Sequence, residues 1–465
     1  MSASRLTRFT LSVLKAGIFV ASFCTFAFAQ GKNPVILIPG VSGSELRHKV
    51  TNERIWFRAL KPKSEDLRLP ISLDLSKNRD DLIPGDVLRE VKIGVFPVTD
   101  VYGDFIKEMR VRGGYQEESW ESPSDEGFHD SLYVYPYDWR LDNVLNARLL
   151  VRKIEALRIK LKRPDLKFDV VAHSMGGIIT RYALMYGDVD LPAGSQKIRP
   201  TWAGAKLFDK VILMATPNEG SALALDSLTN GLNFGGLRID LPFVQDTSKF
   251  TLFTLPSGYQ LLPAPGTFRA FDERLQPISI DIYDPKVWTK YGWSMLDDKD
   301  FDVAFKPNSK SDAAAFFAAV LNRAKRLHEA LAAAGGKSGG VLINVVGADC
   351  GTALDAVVIY RDKKADKWKT LFQPKGFTNS DGRKISAADL KHVMYLPGDG
   401  VVTQRSLRAT TMTSDGESRS SIGSRSDSFI CGEHHKLAGS SRIQEYVIRI
   451  LSKITTDDDL ENKGR

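Results

Sequence analysis

The chain has 465 residues, 64 Lys and Arg against 56 Asp and Glu, a formal net charge of +8 and 43% apolar side chains. That length allows one large enzyme domain with insertions, or two or three smaller domains. The basic excess is slight and interleaved with acidic residues, too weak and scattered for a nucleic-acid binder and enough only for a mild preference for anionic lipid surfaces.

The first 29 residues read as an export leader. Arg5, Arg8 and Lys15 precede or open an apolar run from Ala16 to Phe28, and Ala27-Phe28-Ala29 supplies the small-x-small cleavage pattern. The run is shorter than the roughly 20 apolar residues a spanning helix needs, so cleavage after Ala29 and a secreted or periplasmic protein are expected. Of the three cysteines, Cys24 leaves with the leader. Cys350 and Cys431 remain as an even pair in an oxidising compartment, and a disulfide between them is expected.

Downstream, short apolar runs alternate with helical patterns, which predicts an α/β fold with a mostly parallel, doubly wound sheet. The expected strands are Val35 to Ile38, Leu132 to Tyr135, Phe168 to Val171, Val211 to Met214 and Val341 to Val346. A helix from about Val144 to Lys162 carries Leu150, Ile154, Leu157 and Leu161 on one face and basic residues on the rest. From Asn218 to Asp312 the rhythm breaks into Gly, Pro and aromatics, which predicts a cap inserted over the sheet edge. An Ala-rich helix with Ser311 as its cap and Gly335-Gly336 as its stop comes next. Asp362 to Lys369 and the Ser-rich Thr410 to Ser428 read as surface loops, and Ile443 to Ile454 as a closing helix. The chain thus divides into a leader (1–29), a first core segment (30–217), a cap (218–312), a second core segment (313–454) and a charged tail (455–465).

The most informative stretch is Phe168-Asp-Val-Val-Ala-His-Ser-Met-Gly-Gly177. An apolar strand runs into a tight turn and then a helix, with small residues two before and two after the serine. A serine at such a turn projects its hydroxyl above the sheet as a nucleophile. The helix that starts after Ser174 aims the Met175 amide at a reacting oxygen. A serine needs a base, and the base an orienting acid. This fold presents them in the order Ser, acid, His, which leaves His434 or His435 as base, with His392 open if the acid comes early. Asp399, in the turn Pro397-Gly-Asp-Gly-Val-Val402, is the better acid, and Asp349 just past a strand end is its rival. No Zn or Ca spacing and no phosphate-cradling glycine loop stands out, so neither metal nor cofactor is expected.

Together these motifs resemble the lecithin:cholesterol acyltransferase family. The resemblance rests on Ile38-Pro-Gly-Val-Ser-Gly-Ser-Glu-Leu46, Tyr137-Asp-Trp-Arg140, Ala172-His-Ser-Met-Gly176, Ala215-Thr-Pro-Asn-Glu-Gly-Ser221, Gly398-Asp-Gly-Val-Val402 and Glu433-His434-His435-Lys436-Leu437, in that order along the chain. It implies an α/β-hydrolase fold with Ser174 as nucleophile, Asp399 as acid and His434 as base, and it places a second oxyanion donor at the backbone amide of Val41. It further implies a lipid ester substrate, a phospholipid or acylglycerol, with an alcohol or water as acyl acceptor and transient contact with a membrane surface. An esterase using water alone, or an inactive hydrolase fold serving as a binding module, are the competing expectations. Thr403, where the family commonly has proline, and the cap, which matches little, are the departures.

Overall fold

The computed structural model describes residues 32–58, 67–91, 99–124, 130–194, 196–231, 248–306, 308–333, 338–362, 365–412 and 418–452. The leader (1–29), the charged tail (455–465), Gly335-Gly336 and the cap residues Leu232, Phe234, Leu241 and Phe243 lie outside them.

Among the described residues the principal sheet has seven strands, all pairing in parallel. They are β1 (Val35–Ile38), β2 (Gln116–Glu117), β3 (Ser131–Val134), β4 (Phe168–His173), β5 (Phe208–Met214), β6 (Leu342–Gly347) and β7 (Ser426–Phe429), in the spatial order β7-β6-β5-β4-β1-β3-β2. The central strands are near-continuous apolar runs because both faces are covered. Alternate residues divide between two cores. Ile36, Ile38, Val170, Ala172, Val211 and Leu213 face one, while Val35, Leu37, Val171, Ile212 and Met214 face the other. The first core is filled by helices α1 (Asn143–Lys160), α2 (Met175–Tyr186) and α3 (Lys310–Ala332). The second is filled by the short helix Gly103–Val111 and by α4 (Ser441–Ser452).

Helix α1 starts where Asp142 accepts a hydrogen bond from the Leu145 amide, the expected capping chemistry for an acidic residue before a helix. Helix α3 is capped by Ser309, whose side chain accepts from the Asp312 amide. The cap is therefore two residues earlier than the expected Ser311, whose hydroxyl lies 2.7 Å from that of Ser309.

From β1 in the middle of the sheet the chain crosses to the edge at β2, comes back inward through β3 beside β1, then passes β1 to β4 and continues outward through β5, β6 and β7. The direction of winding reverses between β1 and β4. In open α/β sheets the crevice beyond the carboxyl ends of the strands at such a reversal is where ligands bind.

A second sheet orders Pro277–Ile278, Arg269–Phe271, Ala356–Asp362 and Lys367–Leu371. Arg269–Phe271 comes from the expected cap and pairs in parallel with Ala356–Asp362, which follows β6. The structure beside the main sheet is thus built from two separated stretches of chain rather than from 218–312 alone. Much of Asp362 to Lys369, expected as a loop, belongs to this hairpin. Its returning strand alternates exposed Lys367 and Lys369 with half-buried Trp368 and Thr370, a period-2 pattern that high charge obscures. The Ser-rich stretch likewise contains strands, at Thr410–Met412, Ser418–Ser420 and β7 itself. Cap aromatics form an interior. Trp288 packs edge-on to Phe317 of α3 with ring centroids 5.2 Å apart, and Trp288 and Trp293 are fully buried. Among the described residues no helix is long and apolar enough to cross a membrane.

Candidate active site

Strand β4 ends at the reversal point, and Ser174 forms the turn into α2 with φ 52° and ψ −124°. A non-glycine residue there costs on the order of 1–3 kcal/mol and persists only when its surroundings hold it. The Ser174 amide donates to the Met214 carbonyl at 2.8 Å, and its own carbonyl accepts from the Gly177 amide at 2.9 Å. Packing explains the small residues that follow. A Cβ on Gly176 would lie 2.5 Å from the Pro39 carbonyl oxygen, and one on Gly177 would lie 1.9 Å from Thr216 Oγ1.

The loop after β1 closes against this turn. A Cβ on Gly40 would lie 2.9 Å from Ser174 Cβ. The loop is pinned by Tyr137, whose hydroxyl donates to the Pro39 carbonyl at 2.9 Å, and by Trp56, whose Nε1 donates to the Ser42 carbonyl at 2.9 Å. Trp139 packs on Trp56 with centroids 5.1 Å apart, and buried Arg140 is held by Asp138 and Asp80. The Tyr137–Arg140 motif thus supports the loop that carries Val41. Neither the Val41 nor the Met175 amide has an intramolecular acceptor among the described residues. Both are free to donate to a ligand oxygen.

The loops after β6 and β7 bring the remaining groups. His434 Nε2 lies 2.9 Å from Ser174 Oγ, and His434 Nδ1 lies 2.8 Å from Asp399 Oδ2. With Asp399 accepting at Nδ1, Nε2 is left as the acceptor for the Ser174 hydroxyl proton. The other Asp399 oxygen accepts from the amides of Val401 at 3.0 Å and Val402 at 2.7 Å. Burial by itself would raise the Asp399 pKa, but His434 and the Val402 and Val401 amides together hold it below the ordinary carboxylate value. Asp399 is therefore ionised at neutral pH and fixes the imidazole orientation.

The rival residues are placed elsewhere. His435 is largely exposed, with Nε2 3.7 Å from Glu433, and His392 is exposed on the helix Ala387–Met394. Asp349 is exposed beyond the end of β6, and among the described residues it makes no hydrogen bond or ion pair with His434 or His435. Cys350 and Cys431 are joined in a disulfide. Cys350 precedes Gly351, which pairs with Gly398 beside Asp399, so the bond links the bases of the acid and histidine loops. Among the described residues no group of three or more His, Cys, Asp or Glu side chains is placed to hold a metal ion. Two residues at the site were not singled out from the sequence, Tyr102 and His173. No local pattern marks Tyr102, which meets the site from 71 residues before His173.

A family model described as lecithin:cholesterol acyltransferase matches residues 126–292, the segment that carries the Tyr137–Arg140 motif, β4, Ser174 and most of the cap. Over this segment the chain is similar to the lecithin:cholesterol acyltransferase family. By that similarity it is an enzyme of the acyltransferase or phospholipase type, with lipid esters as its substrate class. It is 24% identical over 460 residues to phospholipase A(1) LCAT3 of Arabidopsis thaliana, a match covering 90% of each chain. It is 26% identical over 253 residues to lecithin-cholesterol acyltransferase-like 4 of the same plant, covering 50% of this chain and 43% of that one. Uncharacterized protein YJR098C of Saccharomyces cerevisiae is 24% identical over 269 residues, and the chain spans 34% of its length. Among solved structures, that of the Tle4–Tli4 complex superposes with a TM-score of 0.53 at 15% identity, over 91% of this chain and 99% of that one. At that identity the likeness shows the fold, which is that of an α/β-hydrolase.

Proposed function

We propose that the protein is a serine-dependent O-acyltransferase or lipase that works through an acyl-enzyme on Ser174, with His434 as base and Asp399 as its orienting acid. The observation that carries this reading is the unbroken line from Ser174 Oγ to His434 Nε2 and from Nδ1 to Asp399, at 2.9 and 2.8 Å. An inactive binding module has no use for a strained serine held at hydrogen-bond distance from an oriented imidazole.

In the first half-reaction, Ser174 Oγ attacks the ester carbonyl carbon while its proton passes to His434 Nε2. The carbonyl oxygen becomes negative and takes hydrogen bonds from the Val41 and Met175 amides, a contribution of about 3–4 kcal/mol per donor in comparable sites. The bond to the alcohol oxygen then breaks, and His434 returns its proton to that oxygen. The acyl group remains on Ser174. In the second half, water or another alcohol gives its proton to His434 and attacks the acyl carbonyl; the bond from the acyl carbon to Ser174 Oγ then breaks, and His434 returns the proton to Oγ. Asp399 stays ionised throughout and stabilises the imidazolium.

A phospholipid is the favoured acyl donor, because the relative that matches 90% of the chain is named a phospholipase A(1). The same name favours water as one acceptor. Transfer to a lipid alcohol competes with water only where the acceptor is bound and oriented. Export is also proposed, supported by the charged and apolar pattern of residues 1–29 and by the Cys350–Cys431 disulfide. A slight basic excess is suited to transient contact with anionic lipid. The test is to give the purified protein vesicles of labelled phospholipid with a long-chain alcohol, a sterol or a diacylglycerol and to separate the products. Acyl transfer to one of these alongside free fatty acid is expected. Free fatty acid alone across the panel would identify a lipase, and no product from wild-type protein would overturn the proposal.

A further inference from the structure

His173 lies next to the nucleophile in sequence, and its buried imidazole stands outside the line from Ser174 to Asp399. Each of its nitrogens has a partner. The Tyr102 hydroxyl is 2.7 Å from Nδ1, and the His434 carbonyl oxygen is 3.1 Å from Nε2. A carbonyl can only accept, so Nε2 carries a proton. Burial, reinforced by the nearby His434, pushes the His173 pKa down to about 3 and keeps the ring neutral. Nδ1 is then an acceptor, and the Tyr102 hydroxyl donates to it. The phenol oxygen in turn accepts from the Gly40 amide at 2.8 Å. Burial raises the Tyr102 pKa well out of the range in which the phenol would lose its proton. Every proton in the series is thereby assigned: Gly40 N–H to Tyr102, Tyr102 O–H to His173, His173 Nε2–H to the His434 carbonyl.

The ends of the series are the two pieces of chain that the chemistry needs in register. Gly40 directly precedes Val41, whose amide faces the oxyanion. At the other end His434 carries the base. Its own amide donates to the Asp399 carbonyl at 2.9 Å, so the His434 backbone is held from both sides, by Asp399 through N–H and by His173 through C=O. We propose that Tyr102 and His173 are positioning residues, forming a hydrogen-bond relay that sets the oxyanion loop and the base in one register around Ser174. The proposal rests on the reading of Ser174 as nucleophile and His434 as base.

The chemistry favours this arrangement over plain packing. The relay places three polar side-chain atoms in a dry interior, where an apolar pair of the same volume would avoid the cost of burying them. His173 is also the ring closest to the charge that forms in the reaction, with its centroid 5.2 Å from that of His434. A neutral ring there does not repel the imidazolium that His434 becomes.

The test compares Tyr102→Phe, His173→Leu and His173→Gln in the full chain. The readouts are kcat and KM for p-nitrophenyl butyrate, the rate of labelling by a fluorophosphonate, and the melting temperature, with kcat expressed per labelled site. A displacement of the order of 1 Å costs about 100-fold, so Tyr102→Phe and His173→Leu are expected to lose about 10- to 100-fold in kcat and labelling rate with KM nearly unchanged. His173→Gln, whose amide can accept from Tyr102 and donate to the His434 carbonyl, is expected to recover most of that loss. Wild-type kcat per labelled site in Tyr102→Phe, with only the melting temperature lowered, overturns the relay. So does a His173→Gln variant as slow as His173→Leu. Tyr102→Phe removes one oxygen and keeps the ring, so it carries the test even where His173→Leu fails to fold. Failure of the parent reading looks different: wild-type protein would not label at Ser174 at all.

Discussion

From Phe168 to Gly187 every residue is buried, and Ser174 is placed by its own chain neighbours. His434 reaches Ser174 from 260 residues further along, and Asp399 lies 35 residues before it in a separate loop. The Ser174 side of the site is therefore held by volume, by backbones that approach so closely that a single methyl group does not fit. The Asp399–His434 side is held by a few discrete bonds: the two amides on Asp399, the His434 amide on the Asp399 carbonyl, and the disulfide. The two constructions fail in different ways. One loses its fold when a group is added, and the other loses its register when a bond is removed.

The largest effect should come from Ser174→Ala, which removes the attacking oxygen and leaves the turn in place. Turnover is expected to fall by on the order of 10⁶ with the melting temperature nearly unchanged. On the other side, Asp399→Asn should cost on the order of 10⁴ in kcat by favouring the wrong imidazole tautomer. Asp349→Asn should be nearly silent, and the reverse ranking would move the acid to Asp349. His434→Ala should abolish turnover while His435→Ala only reduces it. Equal losses would erase the distinction between them.

Volume on the Ser174 side is tested by Gly177→Ala, whose new methyl meets Thr216. Overpacking of this kind costs about 1–3 kcal/mol and sometimes more, read as a lower denaturation midpoint. Adding Thr216→Ala removes the two closest atoms and should restore part of it. An unchanged midpoint in Gly177→Ala would show that packing does not set the turn. The matching change across the site is Cys350→Ser with Cys431→Ser, which opens a bond spanning 81 residues. A loss of about 2–4 kcal/mol is expected, with a fall in kcat per folded molecule that Gly177→Ala with Thr216→Ala does not share.

A more gradual effect, spread over about two pH units, is that of pH on stability. Burial lowers the pKa of His173 to about 3 and that of His328 to about 4. Below pH 6.5 the unfolded chain takes up two protons that the folded chain refuses, so stability falls with pH. Burial also raises Asp169 to about 6. Between its ordinary value and that point the folded chain holds one extra proton, which offsets one of the two. The net slope from these groups is about 1.4 kcal/mol per pH unit between pH 6 and 4. His328→Leu should flatten it, and an unchanged slope would contradict the assignment.

The same contrast explains what the sequence made legible. Strands β1, β4 and β5 and the turn at Ser174 are runs of adjacent residues whose apolar pattern and small neighbours report their packing directly. The choice between His434 and His435 was open on residue pattern alone, because consecutive residues point in different directions and only the fold says which meets Ser174. Asp349 and Asp399 both follow strands, and what separates them is the pairing of Gly351 with Gly398, a contact between distant segments. The Ala356–Asp362 strand went unread because its partner lies in the cap, and Lys367 to Leu371 because lysines cover its outer face. Tyr102 carried no signal at all, since its role depends on a hydrogen bond to His173.

Mass spectrometry of the protein quenched during turnover of p-nitrophenyl butyrate tests the central claim most directly. The account predicts a butyryl adduct on the peptide that contains Ser174, present in wild type, accumulating in His434→Ala no faster than the uncatalysed reaction, and absent in Ser174→Ala. An adduct on another residue, or turnover by Ser174→Ala above a few per cent of wild type, would contradict it.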